Sequence, residues 1–181
     1  MELKRIFNKN DLHYKNAYSL YLEAFPLEQT RNSTSQEFVL KDPNYHFNII
    51  LVDNSFAGFL MCWHYDEYIY IEHFAIAKHL RGSGLGTQAL SLLKNYDKLL
   101  ILEIDPPIDD YSISRQKFYE RSGFILNMQF EHNPPAYRLE YKQQQLVIMA
   151  SGPLTDILYQ TYYQHVCSNI LRPLLSTQQK L

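Results

Sequence analysis

Cysteine is almost missing from this chain: Cys62 and Cys167 are the only two, and no CxxC spacing occurs. Neither a disulfide framework nor a thiolate metal site is therefore expected, and both read as small, partly buried side chains. Long apolar runs are missing as well, and Met1-Glu2-Leu3-Lys4-Arg5-Ile6-Phe7 is charged where a secretory signal needs an apolar stretch. The expectation is a soluble, cytoplasmic protein without a membrane partner. No charge of one sign dominates: 17 Lys plus Arg face 19 Asp plus Glu, for a net charge of -2. That balance carries no nucleic-acid footprint. The seven histidines show no HExxH or other ligand spacing, so no metal is expected. No internal repeat occurs, and Gln143-Gln144-Gln145 is too short to be a low-complexity tract.

What is present suits one folded domain. The 181 residues are 46% hydrophobic and 20% charged, enough apolar material to offset the entropy of ordering one core. Fifteen tyrosines fit core edges and ligand clefts alike. Residues 2 to 7 alternate as a strand. Asn10 or Asp11 then caps a helix carrying Tyr14, Ala17, Tyr18, Tyr21 and Phe25. Thr34-Ser35-Gln36-Glu37 offers a capping box for a short helix through Leu40. An antiparallel meander follows over 46–52, 56–65 and 68–77, with turns at Asp53-Asn54-Ser55 and Asp66-Glu67. Beyond a glycine loop the pattern predicts a helix, a strand over 99–104, a helix over 112–121 stopped by Gly123, strands over 124–130 and 137–149, and a last helix ending at Pro173.

Glycine is scarce, with six in all, yet three stand in Arg81-Gly82-Ser83-Gly84-Leu85-Gly86 at the start of a helix. Such a loop can turn several backbone N–H groups outward together, and the helix dipole favours an anion there, a phosphate above all. A plain strand-to-helix turn is the bland alternative. Walker A spacing fails, because Thr87-Gln88 follows Gly86 where Lys-Ser/Thr is required. Gly84-Leu85-Gly86-Thr87-Gln88-Ala89 formally matches GxGxxA, with Glu103 about twenty residues on. An antiparallel meander rather than a βαβ unit precedes it, which is the wrong context.

The loop resembles the Q/R-x-x-G-x-G/A pyrophosphate loop of the GNAT acetyltransferase superfamily. Phe118-Tyr119-Glu120-Arg121-Ser122-Gly123-Phe124 is similar to that superfamily's FYxxxGF segment, and Ile71-Glu72-His73-Phe74-Ala75-Ile76 to its strand of the type IEHFAV. The resemblance covers roughly residues 2 to 149. It implies a mixed α/β acyl-CoA N-acyltransferase fold, a mostly antiparallel central sheet flanked by helices. The domain would occupy 1–149, with a C-terminal helical extension over 150–181 packed on it or on a partner subunit.

By the same resemblance, acetyl-CoA would be the cosubstrate, and its acetyl group would pass directly to a primary amine of a small molecule or peptide. The amides of Arg81, Gly82, Ser83, Gly84, Leu85 and Gly86, with Thr87 beside them, would hold the pyrophosphate. Phe74, Ala75 and Ile76 would run along the pantetheine, with N–H groups near Ile76 as an oxyanion hole. Ser112 stands where many relatives carry an Asn that bonds the pantetheine, and Arg115 could reach a phosphate. Tyr119 matches the acid that protonates the leaving thiolate.

For the base, alternation puts Tyr70, Glu72, Phe74 and Ile76 on one face and His73 on the other. Among apolar neighbours Glu72 would have a raised pKa and is the first candidate; Glu103 is the second, and either Glu could instead only pair with Arg or Lys. A non-catalytic acyl-CoA-binding module and a nicotinamide-dependent oxidoreductase are the alternatives to the enzyme. Residues 24–31 with Tyr137, Tyr159, Tyr162 and Tyr163 could line an acceptor pocket. The last helix has an apolar face that must cover this pocket or meet a second copy, which points to a homodimer.

Overall fold

Alternating apolar residues from Tyr45 to Ile76 fold as three antiparallel strands, and the rest of the chain builds outward from them. The computed structural model describes residues 1–178, with side chains through Leu174. The elements are β1 (Glu2–Ile6), α1 (Tyr14–Ala24), α2 (Ser33–Val39), β2 (Tyr45–Val52), β3 (Ser55–His64), β4 (Tyr68–Ile76), α3 (Leu85–Leu93), β5 (Leu99–Ile104), α4 (Asp110–Arg121), β6 (Ile125–His132), β7 (Leu146–Ala150) and α5 (Asp156–Gln178). They form a seven-stranded sheet in the order β1-β2-β3-β4-β5-β7-β6. All neighbours are antiparallel except β4 and β5, which are parallel from Tyr68↔Leu99 to Ile71↔Leu102. This is the mixed α/β fold that the sequence predicts.

Helices cover both faces. Phe47, Phe59, Trp63, Tyr70 and Ile101 turn to one face, where α1, α2 and α5 bring Tyr21, Val39, Tyr162, Val166 and Ile170. Leu60, Ile69, Leu100 and Met149 turn to the other, under α3 and α4 with Leu90, Leu93 and Tyr119. The apolar face of α5 that suggested a second copy is thus buried within its own chain.

Several element boundaries differ from expectation, among them α2, which starts at Ser33 with the Asn32 side chain, not Thr34, capping it by accepting from Ser35 N–H. Asp11 does not cap α1; its carboxylate turns back to accept from the N–H groups of Phe7 and Asn8, and His13 at φ 70° begins the helix. The predicted strand over 137–149 forms only from Leu146. The preceding segment folds onto the connection between α1 and α2, where Tyr137 N–H donates to Glu28 O (3.2 Å) and Arg138 Nε to Thr30 O (3.1 Å). Finally, α5 runs through Pro173 instead of ending there. Proline has no N–H for the carbonyl four residues earlier, that of Asn169. Arg31 Nη2 donates to this carbonyl at 3.3 Å and takes the missing donor's place.

Candidate active site

The cleft begins where the parallel pair ends. Past Ile71↔Leu102, β4 keeps β3 on one side through Ile76 but has no further pairing with β5. The backbone groups on that edge of β4 face the opening between the strands, which widens into a cleft of about 570 Å³. Phe74, Ala75, Ile76, Arg81, Gly82, Gly84, Leu85, Gly86, Thr87, Arg115 and Tyr119, all candidates from the sequence, line it. So do Ala24, Phe25, Leu80, Tyr111, Ser114, Phe118 and Arg121. Three arginines and no carboxylate stand among these lining residues, so the wall is suited to a polyanion.

Local geometry explains the loop. Gly82 and Gly84 have φ of +81° and +80°, and a Cβ at either would find nothing within 4 Å, so the loop is open outward at the start of α3. Arg81 Nε ties it to the end of β4 by donating to Ile76 O at 3.0 Å. At Gly86 a Cβ would lie 3.1 Å from the Phe118 ring, so α3 and α4 meet where glycine leaves room.

Two expected cofactor contacts lie elsewhere. Ser112 is 4% exposed and outside the cleft. Helix α4 begins at Asp110, two residues earlier than the sequence predicts, which makes Ser112 half of a capping box with Asp109. Its hydroxyl donates to Asp109 Oδ1 (2.8 Å) and accepts from the N–H groups of Ile108 and Asp109, so the expected pantetheine contact is corrected. The Ser83 hydroxyl donates to Leu80 O at 2.6 Å, bracing the loop from outside the cleft lining.

A smaller recess adjoins the cleft, sharing Phe25 and Arg115 with it, and contains Glu72, His73, Glu103, Asp105 and Tyr137. Here the expected alternation of β4 fails. Met61 pairs with His73 and Cys62 with Ile71, leaving Glu72 as an extra, bulged residue. Tyr70 and Ala75 therefore share one face, while Ile71 and Phe74 share the other. Glu72 and His73 both point to the α1 side: Glu72 reaches Arg31 and Tyr137, and His73 Nε2–H donates to Gln29 O at 2.8 Å.

The expected raised pKa of Glu72 is also overturned. Burial pushes its carboxyl up most strongly of any single cause, but Arg31 and the adjoining His73 together outweigh burial and hold it well below the usual carboxylate range. Both Arg31 Nη atoms lie 2.6 Å from the two carboxylate oxygens, and Tyr137 Oη donates at 3.0 Å. The guanidinium is itself ringed by Tyr137, Tyr45 and Trp63, with its carbon 4.7, 5.8 and 6.0 Å from their ring centres. Arg31 lies 41 residues from Glu72, and no local pattern links the two.

Glu103 has different partners. Tyr70 Oη donates to Oε2 at 2.8 Å, Tyr162 Oη donates to Oε1 at 2.9 Å, and His132 Nε2 lies 2.5 Å from Oε1. Burial pushes both tyrosine hydroxyls well above their ordinary pKa, so they stay protonated as donors. Of the aromatic residues expected around the acceptor, Tyr137 lines the recess and Tyr162 supports Glu103 from behind. Tyr159 and Tyr163 lie further back around His132. Tyr119, 4% exposed, sits on α4 between Phe118 and Phe124 at the cleft wall. Among the described residues no group of three or more His, Cys, Asp or Glu could hold a metal ion, and no helix is long and apolar enough to cross a membrane.

Comparison with known proteins agrees with this geometry. Residues 14–124 match the family model described as Acetyltransferase (GNAT) family. The Bacillus subtilis (strain 168) protein named "Putative acetyltransferase YjbC" is 30% identical over 111 residues, 60% of this chain and 56% of that protein's own length. The chain therefore spans little more than half of that relative. A structure named "Putative acetyltransferase from GNAT family from Bacteroides thetaiotaomicron" is 29% identical with a TM-score of 0.84, covering 94% of this chain and 98% of the other. A Bacillus subtilis acetyltransferase crystallised with CoA shares the fold at 15% identity and TM-score 0.53, over 84% and 97% of the two chains.

Proposed function

Because the chain belongs to the GNAT acetyltransferase family, we propose that it transfers the acetyl group of acetyl-CoA directly to a primary amine of a small molecule or peptide. The observation that carries this reading is a single groove with two electrostatic halves. Arg81, Arg115 and Arg121 line the large cleft without a carboxylate, while the adjoining recess shares Arg115 and adds Glu103, Asp105 and the Arg31-bound Glu72. Phosphates suit the first half, and the carboxylate oxygens of the second can accept from the N–H groups of an amine.

In this reading the glycine loop holds the pyrophosphate at the start of α3, and Phe74 to Ile76 guide the pantetheine. Unladdered N–H groups on the edge of β4 polarise the thioester carbonyl. The amine nitrogen attacks the carbonyl carbon, the C–N bond forms and the C–S bond breaks. Glu103 receives the proton that the nitrogen must lose, and Tyr119 gives one to the departing thiolate. Glu72, locked to Arg31, is a fixed anion that shapes the recess.

Calorimetric titration with acetyl-CoA, free CoA and NADH tests the cosubstrate. Saturable binding of acetyl-CoA and CoA without NADH binding is expected, and failure of acetyl-CoA to bind would remove the enzyme reading. Release of CoA with a panel of primary amines separates a catalyst from a binding module. Tyr119→Phe should lower kcat about tenfold or more with KM for acetyl-CoA unchanged; a fully active variant would end the assignment of Tyr119 as acid.

A further inference from the structure

We propose that His132 is a positioning residue for acetyl transfer: it shares a proton with Glu103, and the pair receives the acceptor's proton as one unit. This rests on the acetyltransferase reading above.

Counting protons around the imidazole leads there. Tyr159 Oη has one proton and donates it to Glu131 O at 2.8 Å. At its other contact, 3.2 Å from His132 Nδ1, that oxygen can only accept, so Nδ1 carries a proton. Nε2 then lies 2.5 Å from Glu103 Oε1. Two bare lone pairs at that separation would repel, so a second proton lies between the two residues. The arrangement is an imidazolium beside a carboxylate, or an imidazole beside a carboxylic acid, and both have zero net charge.

Loss of one proton leaves a neutral imidazole that donates from Nε2 to Glu103. Rotation of the Tyr159 hydroxyl from Glu131 O to Nδ1 then satisfies the bared nitrogen. In this state the carboxylate can take a proton from the acceptor on Oε2, where Tyr70 is its donor, while Oε1 stays bound to Tyr162 and His132. The amine nitrogen gives up that proton as it bonds to the acetyl carbon, and the pair returns to zero charge before passing the proton to water. Burial favours this neutralisation, because the side chains of His132 and Glu103 are 0% and 10% exposed.

The two recess glutamates are thereby distinguished. Arg31 stays charged at every working pH and fixes Glu72, whereas His132 can release a proton. The other groups facing the pair are Tyr70 and Glu72 from β4, the latter bound to Arg31 from the segment before α2, then His73, Asp105 and Arg115 of the same recess, and Tyr159, Tyr162, Tyr163 and Cys167 from α5. Tyr137 approaches from the segment before β7.

The test compares wild type with His132→Gln, whose side-chain amide can still donate to Glu103 but cannot carry the exchangeable proton. With any primary amine that supports CoA release, kcat should fall about tenfold to a hundredfold. KM for acetyl-CoA should stay within about twofold, and the rising limb of the pH profile should move by about one pH unit or more. The amine's own ionisation is common to both proteins and drops out of the comparison. Tyr159→Phe, which keeps the ring packing, should also displace the limb if His132→Gln folds poorly. Nitrogen NMR of His132 should show protonated Nδ1 at low pH, and the Glu103 carboxyl titration should change in the variants. Coincident pH profiles, or a Glu103 titration indifferent to both substitutions, would overturn the proposal while leaving the acetyltransferase reading intact. If wild type binds no acetyl-CoA, or no amine supports CoA release, that reading falls and this inference falls with it.

Discussion

Two carboxylates, each one residue beyond the last β4–β5 pair, show how a partner decides what an acidic side chain can do. Glu72 is ionised and held by a guanidinium on both oxygens. Replacing it as Glu72→Gln leaves Arg31 charged, buried and without its counter-ion, which should cost about 3–5 kcal/mol. Urea unfolding measures that loss directly; a change below about 1 kcal/mol would mean that the pair is not the structural lock described here. The folded pKa of Glu72 is depressed, so the pair's contribution is present above the unfolded carboxyl's pKa of about 4.3 and fades as pH falls below it. The sequence made Glu72 and Glu103 legible as acids near the cleft because both stand in apolar strands. Their difference was not legible, since Arg31, His132 and Tyr162 come from distant segments.

At the scale of elements, strands and loops that follow local pattern were read well. The meander, the glycine loop and the Tyr119 helix follow from alternation, turn residues and helical spacing within short windows. Ser112 was misplaced because a two-residue shift in the start of α4 changes a side chain from exposed to capping. The segment 137–145 alternates like a strand yet is recruited by the connection between α1 and α2 through Tyr137 and Arg138. Where β3 meets the functional stretch of β4, a tight fit carries its own prediction. A Cβ on Gly58 would lie 2.3 Å from Ala75 O. Gly58→Ala must therefore push the two strands apart beside Ala75 and Ile76, destabilising the protein by about 1–3 kcal/mol and weakening acetyl-CoA binding. Thermal melting and calorimetry check the two effects, and an unchanged melting temperature would contradict this packing.

For the whole molecule, two apolar layers separated by one sheet keep most titratable groups either exposed or firmly paired. His46 on β2 and His64 on β3 depart from that rule, with rings stacked 3.9 Å apart and the edge of Tyr96 against His64. Burial, then Arg5, lowers His46 to about 4; burial, then His46 and nearby Lys98 and Arg5, lowers His64 to about 4. Their unfolded pKa is near 6.5, so between about 6.5 and 4 the unfolded chain binds more protons. Global stability should fall through that window as pH drops, before carboxylates such as Glu72 contribute. Urea midpoints at successive pH values would show the slope, and His64→Phe should flatten it; an equally steep slope in that variant would assign the loss elsewhere.

The extra residue in β4 also has a meaning for inheritance. Deleting the codon for residue 72 would let the strand pair with β3 without interruption. Because Glu72 and His73 point to the same side, Tyr70 and Ala75 would keep one face and Phe74 and Ile76 the other, and what would vanish is the carboxylate that holds Arg31. A loss of three nucleotides would thus preserve the reading frame of the gene and that of the sheet alike, and leave a buried guanidinium without its counter-ion.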